Sequence, residues 1–190
     1  MKSKSSIHVT LTAVFAALYA VGVVFLAPIS FQIFQVRVAD ALLPLSMLFG
    51  WPAVLGLSIG AFVANFFGGL GPVDMVGGAL ANLIATFLAW KLVRHRTRPW
   101  YLLGAAVEIA TVTIIVGTYL SYLLGFPILV AWTGVLLGSL VAIGIIGTFL
   151  LFTLSTHRVR SLLGTHDMDH SNQQRASKSR STAKNLLSTK

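Results

Sequence analysis

The chain has 190 residues, of which 56% are hydrophobic and 10% charged, with no cysteine and a formal net charge of +9. Without cysteine there are no disulfides or thiolate metal sites, and the apolar runs are far longer than one soluble core needs, so the chain reads as an integral membrane protein. The positive charge does not argue for nucleic acid: Lys and Arg gather at the two ends and in one short loop, which membrane topology accounts for better.

The first apolar run, residues 7–27, follows the basic start Met1-Lys2-Ser3-Lys4. It exceeds the ~7–15-residue apolar core of a secretory signal, and no small-residue cleavage site follows before Pro28, so it is expected to remain as a span. The second stretch, residues 40–67, is interrupted by Pro44 and by Gly50-Trp51-Pro52. The residue before a proline is disfavoured in helix, so this stretch is read as two elements, 41–49 and 52–67. The first of them rises only ~13 Å against a ~30 Å hydrocarbon core and must lean on neighbours or start above the membrane surface. Further spans are expected at 75–90, 100–124 and 128–154. The expected fold is an all-α polytopic membrane protein with six transmembrane helices, the second short and Pro-interrupted. Its membrane domain, 7–156, lies between a basic segment, 1–6, and a basic tail, 157–190.

Six helices put the amino terminus, the loop Lys91-Leu92-Val93-Arg94-His95-Arg96-Thr97-Arg98 and the tail on one side, which the positive-inside rule assigns to the cytoplasm. Arg37 is then the one residue of 14 Lys and Arg on the other side. A five-helix arrangement with an external amino terminus also satisfies loop and tail, but it exports Lys2 and Lys4 and makes a straight helix of a segment with two prolines. From Thr165 onward the tail is rich in Ser, Thr, Gln, Lys and Arg, and it is expected to be disordered near anionic headgroups. His166 and His170 stand there at a spacing that suits a transition metal. A solvated polar tail is the better reading, and no metal or cofactor is expected.

The acids of the folded part are Asp40, Asp74 and Glu108, and a charge at the centre of a membrane helix costs roughly 2.5–3.5 kcal/mol on insertion scales, so each needs a partner or a task. Glu108 falls near the midplane of the fifth helix. Together with Thr111, Ile115, Thr118, Tyr119 and Tyr122 it is expected on one face, either as a hydrogen-bonding seam between helices or as the wall of a solute site. Asp74, Gly78, Asn82 and Thr86 share a face of the fourth helix, and Asp74 is also placed to cap it. Asn65, ahead of Phe66-Phe67-Gly68-Gly69, adds an amide beside a loop, where packing and binding both fit. Arg37 and Asp40 can pair with each other at i, i+3. On the six-helix reading Gln32, Gln35, Arg37, Asp40, Asn65, Asp74, Tyr119, Tyr122 and Trp132 all come from the outer half or the outer loops. That convergence suits capture of a small, flat, hydrogen-bonding solute better than an ion path, which needs polar groups at every depth.

The run Gln35-Val36-Arg37-Val38-Ala39-Asp40-Ala41-Leu42-Leu43-Pro44-Leu45 resembles the signature of QueT-family proteins. Gly56-Leu57-Ser58-Ile59-Gly60, Ala64-Asn65, Gly68-Gly69-Leu70-Gly71-Pro72-Val73-Asp74 and Gly78 continue the resemblance in order, over residues 35–90. Two positions depart from it: Asp40 stands where the family usually has Glu, and the proline at 44 comes a residue or two early. The resemblance implies a substrate-binding S component of an energy-coupling factor (ECF) transporter for queuosine precursors. It implies a six-helix fold with the ligand site near the outer face, capped by the loop after the first helix. It also implies a transmembrane T subunit and two cytoplasmic ATPase subunits as partners, in keeping with the lack of a G-x-x-x-x-G-K-[ST] phosphate loop in this chain.

In such proteins the first helix carries an A-x-x-x-A motif that docks on the T subunit. Ala13 and Ala17 match it, with Ala16 and Ala20 as an adjacent pair; internal packing is the other reading, since Gly56/Gly60 and Gly134/Gly138 share the spacing. A 7-deazaguanine base offers N–H donors to a carboxylate, a carbonyl to Gln, Asn or Arg, and a flat ring to aromatics. Gln35, Arg37, Asp40, Asn65, Asp74 and Glu108 are therefore the expected polar contacts, with Phe34, Tyr119, Tyr122 and Trp132 as stacking partners. An enzyme is not expected, because the helices hold no His or acid cluster and no Ser-His-acid set at one depth. An S component for another vitamin-like solute and a structural membrane protein without solute are the rivals. A nickel or cobalt version resembles others of its kind in a His after the starting Met, where this chain has Lys2.

Overall fold

In hydrocarbon a backbone has no water to bond to, so an apolar run must close its own hydrogen bonds as helix, and every element among the described residues is helical. The computed structural model describes residues 4–26, 37–94, 96 and 98–155. Gln32, Phe34, Gln35, His166, His170 and the tail from residue 156 lie outside the described residues. By compactness the chain divides into Met1–Leu151 and Phe152–Lys190, and the helix packing and the polar cluster belong to the first unit.

The helices in chain order are α1 (Lys4–Phe25), α2 (Val38–Phe49), α3 (Trp51–Gly68), α4 (Pro72–Val93), α5 (Trp100–Leu124) and α6 (Ile128–Leu154). Five are long and apolar enough to cross a membrane, and α2 is the short one. This is the six-helix, all-α arrangement. The five-helix alternative fails at Gly50, whose φ of 64° breaks the run, after which Trp51 and Pro52 open α3, where a missing N–H costs no hydrogen bond.

Although it cannot span alone, α2 does not need to: it packs against all five other helices. Ala39, Asp40, Ala41, Leu43, Pro44, Leu45, Ser46 and Met47 are all buried. Its first part, Val38–Leu45, is a 3₁₀-helix around Pro44, and Ser46–Phe49 is α-helical. Such a long 3₁₀ run is uncommon. It lies against another irregular stretch, the π-helical Leu140–Gly147 of α6. A methyl group on Gly147 would come within 2.9 Å of the Ala41 carbonyl oxygen and of Pro44 Cγ, so only glycine lets the two meet.

Glycine also sets the contact of α1 with α3. Side chains on Gly56 and Gly60 would strike backbone oxygens of α1, Thr12 at 2.6 Å and Ala16 at 2.7 Å. Alternation of six helices brings the C-terminal ends of α1, α3 and α5 and the N-terminal ends of α2, α4 and α6 to one end of the bundle. The basic loop between α4 and α5 lies at the other.

Candidate functional site

The start of α2 carries two charged side chains into the interior. Arg37 and Asp40 are each only 5% exposed. The carboxylate of Asp40 accepts a hydrogen bond of 2.5 Å from the hydroxyl of Tyr19, a fully buried residue of α1. Arg37 reaches the other way, and its Nη2 lies 3.6 Å from Asp74 Oδ1 on α4. The same oxygen accepts from the Tyr119 hydroxyl of α5 at 2.9 Å. Ties therefore run across the bundle as well: Asp40 to α1, and Arg37 to α4.

Asp74 does not cap α4. Pro72 occupies the first helical position, so the cap falls on Gly71, whose φ of 89° glycine adopts without strain. Asp74 then sits within the first turn, where the helix dipole favours an acid and where its side chain turns inward rather than back to the backbone. Asp74, Gly78, Asn82 and Thr86 all stand on the buried face of α4, as their spacing predicts. Asn65, at the end of α3, donates from Nδ2 to the Asp74 carbonyl oxygen at 2.8 Å. A methyl on Gly78 would overlap that amide, so glycine there keeps Asn65 in place.

Two acceptors in this cluster, Asp74 Oδ2 and Asn65 Oδ1, are buried and have no hydrogen-bond partner among the described residues. A buried acceptor left unsatisfied costs about 1–3 kcal/mol, more when it is charged. The formal complement is one guanidinium against two carboxyl groups. Arg37 and Asp40 also line an internal cavity of about 10 Å³ with Asn82, Val112, Val116, Val135 and Ser139. That is room for about one water.

Tyr19, Asn82 as a cavity-lining group, and Ser139 were not among the expected site residues. Tyr19 stands alone in an apolar helix, and its partner is 21 positions away. Ser139 immediately precedes the π-helical stretch, which an unbroken apolar sequence does not announce.

The remaining expected residues sit elsewhere. Tyr122 is 86% exposed and does not join the cluster. The buried face of α5 passes from Tyr101, Gly104 and Glu108 to Val116, Gly117 and Leu120, so it has turned away from Tyr122 by the helix end. Trp132 of α6 packs across Gly117 and donates from Nε1 to the Thr118 hydroxyl at 3.2 Å, making an α5–α6 contact that is not part of the cavity lining. Glu108 is fully buried but lies about 16 Å along α5 from Tyr119. Its Oε1 lies 3.2 Å from Ser46 Oγ, which is also 3.3 Å from the Thr86 carbonyl oxygen. Thr86 in turn donates to the Asn82 carbonyl oxygen at 2.6 Å. One hydroxyl proton serves one acceptor at a time, and Glu108 Oε2 has no partner among the described residues. Ser46→Ala is therefore expected to destabilise the protein by about 1–3 kcal/mol with little effect on solute affinity, read by thermal unfolding beside a binding titration.

A family model described as the QueT transporter matches residues 9–156. The chain belongs to the QueT transporter family. No curated protein and no solved structure matches it. The matched region takes in every member of the buried cluster, so this QueT-family chain is a multi-pass membrane protein of a transporter family, with Arg37, Asp40 and Asp74 buried together at one end. Its α1 alanines divide by direction. Ala13 and Ala17 are exposed on the outside of the bundle. Ala16 faces inward against Gly60, and Ala20 borders an apolar surface groove with Val21, Val24, Phe25 and Phe67.

Proposed function

We propose that this chain is the substrate-binding S component of an ECF-type importer. It captures a queuosine precursor, a 7-deazaguanine-like base, at the end of the bundle remote from the basic loop. The observation that carries the reading is the pair of buried acceptors on Asp74 and Asn65, without a hydrogen-bond partner among the described residues, beside Arg37 and Asp40. A guanine-like edge brings adjacent N–H donors for a carboxylate and a ring carbonyl for a guanidinium, which is the complement this cluster lacks. Tyr119, already tied to Asp74, is the aromatic group at hand for the ring face. The positive-inside rule supports cytoplasmic termini and a cytoplasmic loop of residues 91–98, leaving the cluster toward the outside of the cell membrane.

Energy for uptake comes from partner subunits, a transmembrane T subunit and two cytoplasmic ATPases. Ala13 and Ala17 form the small-residue docking strip, because their exposed backbone turn admits close approach of a partner helix. Ala13→Trp and Ala17→Trp are expected to leave solute binding unchanged and to abolish co-purification with the T subunit; unchanged assembly in both variants removes this role.

The test of the substrate is to purify the chain from cells, extract it and identify the released small molecule by mass spectrometry. A deazapurine at near-equal molar ratio supports the reading. A different vitamin-like molecule replaces the substrate but keeps the S-component role, and a repeatedly empty protein unaffected by added deazapurine overturns both.

A further inference from the structure

At the basic end, α4 finishes with Phe87-Leu88-Ala89-Trp90-Lys91-Leu92-Val93 and α5 opens on Trp100. Trp51, Phe87 and Trp90 stack with ring centres 5.4 to 6.1 Å apart. Tryptophans so grouped beside cations mark the headgroup level of a bilayer. A lateral groove of about 540 Å³ opens there, lined by Leu88, Lys91, Leu92 and Arg96. Leu88 lies nearly one turn before Lys91 along α4, toward the membrane interior, so the groove is aliphatic below and doubly cationic above.

Both cations are aimed without being neutralised. Lys91 Nζ stands 5.8 Å from the ring centre of Phe87, and the Arg96 guanidinium 4.5 Å from that of Trp100. Cation–π contacts orient a charge but leave its sign unbalanced. The acids among the described residues, Asp40, Asp74 and Glu108, are all buried in the interior, and neither Lys91 nor Arg96 has a carboxylate partner among the described residues.

We propose that this groove is a binding site for an anionic glycerophospholipid, with its phosphate between Lys91 and Arg96 and an acyl chain running down past Leu88. A guanidinium receives phosphate oxygens through paired N–H donors, and lysine adds a point charge. A zwitterionic lipid carries the same phosphate, but its ammonium cancels the net charge and meets two like charges here. The site is separate from the solute cluster and does not depend on what that cluster binds.

The experiment uses the full chain in detergent, titrated with phosphatidylglycerol or phosphatidylcholine and read by native mass spectrometry as lipid retained per protein. The expected result is selective retention of one phosphatidylglycerol. Lys91→Gln and Arg96→Gln are each expected to weaken it about fivefold, and the double variant about 25-fold. Arg94→Gln serves as the control: Arg94 stacks on Trp90 at 5.1 Å and does not line the groove, so its retention should match wild type. Equal retention of the two lipids overturns the proposal. So does an Arg94→Gln loss as large as that of the double variant, which assigns the effect to diffuse charge, or displacement of the lipid by inorganic phosphate at equal concentration, which assigns it to a free anion.

Discussion

Asp74→Asn is expected to cost about 3 kcal/mol of stability or more and to weaken retention of a deazapurine by roughly 10–100-fold. The stability loss follows from geometry. Asp74 is paired with the buried guanidinium of Arg37, and removing one charge of a buried ion pair leaves the other less compensated where water does not reach. The amide still accepts from the Tyr119 hydroxyl, so the cost isolates the ion pair from the hydrogen bond. In a protein of this size about 3 kcal/mol lowers Tm by roughly 6–12 °C. The affinity loss follows from chemistry, since an amide offers one acceptor where the carboxylate offers two, and hydrogen bonds to a charged group contribute about 1.5–3 kcal/mol. Tyr122→Phe, on a side chain outside the cluster, should change neither quantity. Thermal unfolding and a binding titration on the same preparations check both.

The second large effect belongs to the contact between α1 and α3. Gly56→Leu is expected to destabilise the protein by about 3 kcal/mol, near the upper end for overpacking, and Gly60→Leu by a similar amount. The added carbon meets backbone rather than a movable side-chain tip: Thr12 O at 2.6 Å for Gly56 and Ala16 O at 2.7 Å for Gly60. Relief therefore requires the whole of α1 to withdraw, and with it Tyr19, which anchors Asp40. Loss of solute binding should accompany loss of stability in these variants, whereas Gly69→Ala, with nothing within 4 Å to strike, should show only the strain of its left-handed backbone. Tm and monodispersity in detergent measure the difference.

Much of this architecture is legible in residue order because hydrocarbon leaves the chain few options. Gly50-Trp51-Pro52 marks the break between α2 and α3, and the observed helices end and begin at Phe49 and Trp51. The same constraint forces the short second helix to rely on neighbours, and it lies among all five. The stripe of Asp74, Gly78, Asn82 and Thr86 is readable because a regular helix preserves its period. What escapes such reading is either irregular or distant. Arg37 and Asp40 appear tied only to each other when local spacing alone is visible, but Asp40 also accepts from Tyr19 of α1 and Arg37 also reaches Asp74 of α4. Glu108 appears to belong with Tyr119 when only the face of α5 is considered, and depth separates them, because Ser46 on α2 supplies its contact. Asp74 resembles a cap until Pro72 and Gly71 fix where the helix starts. Tyr122 drops away because the buried face drifts around α5.

On the proposed reading, a bound base supplies donors to Asp74 Oδ2 and Asn65 Oδ1, the acceptors without a partner among the described residues. The most direct measurement is an experimental structure of the chain saturated with a 7-deazaguanine base. The base should lie among Arg37, Asp40, Asn65 and Asp74, with ring N–H groups within about 3 Å of Asp74 Oδ2 or Asn65 Oδ1. A base bound elsewhere, with these four side chains still closed on one another, would contradict the account.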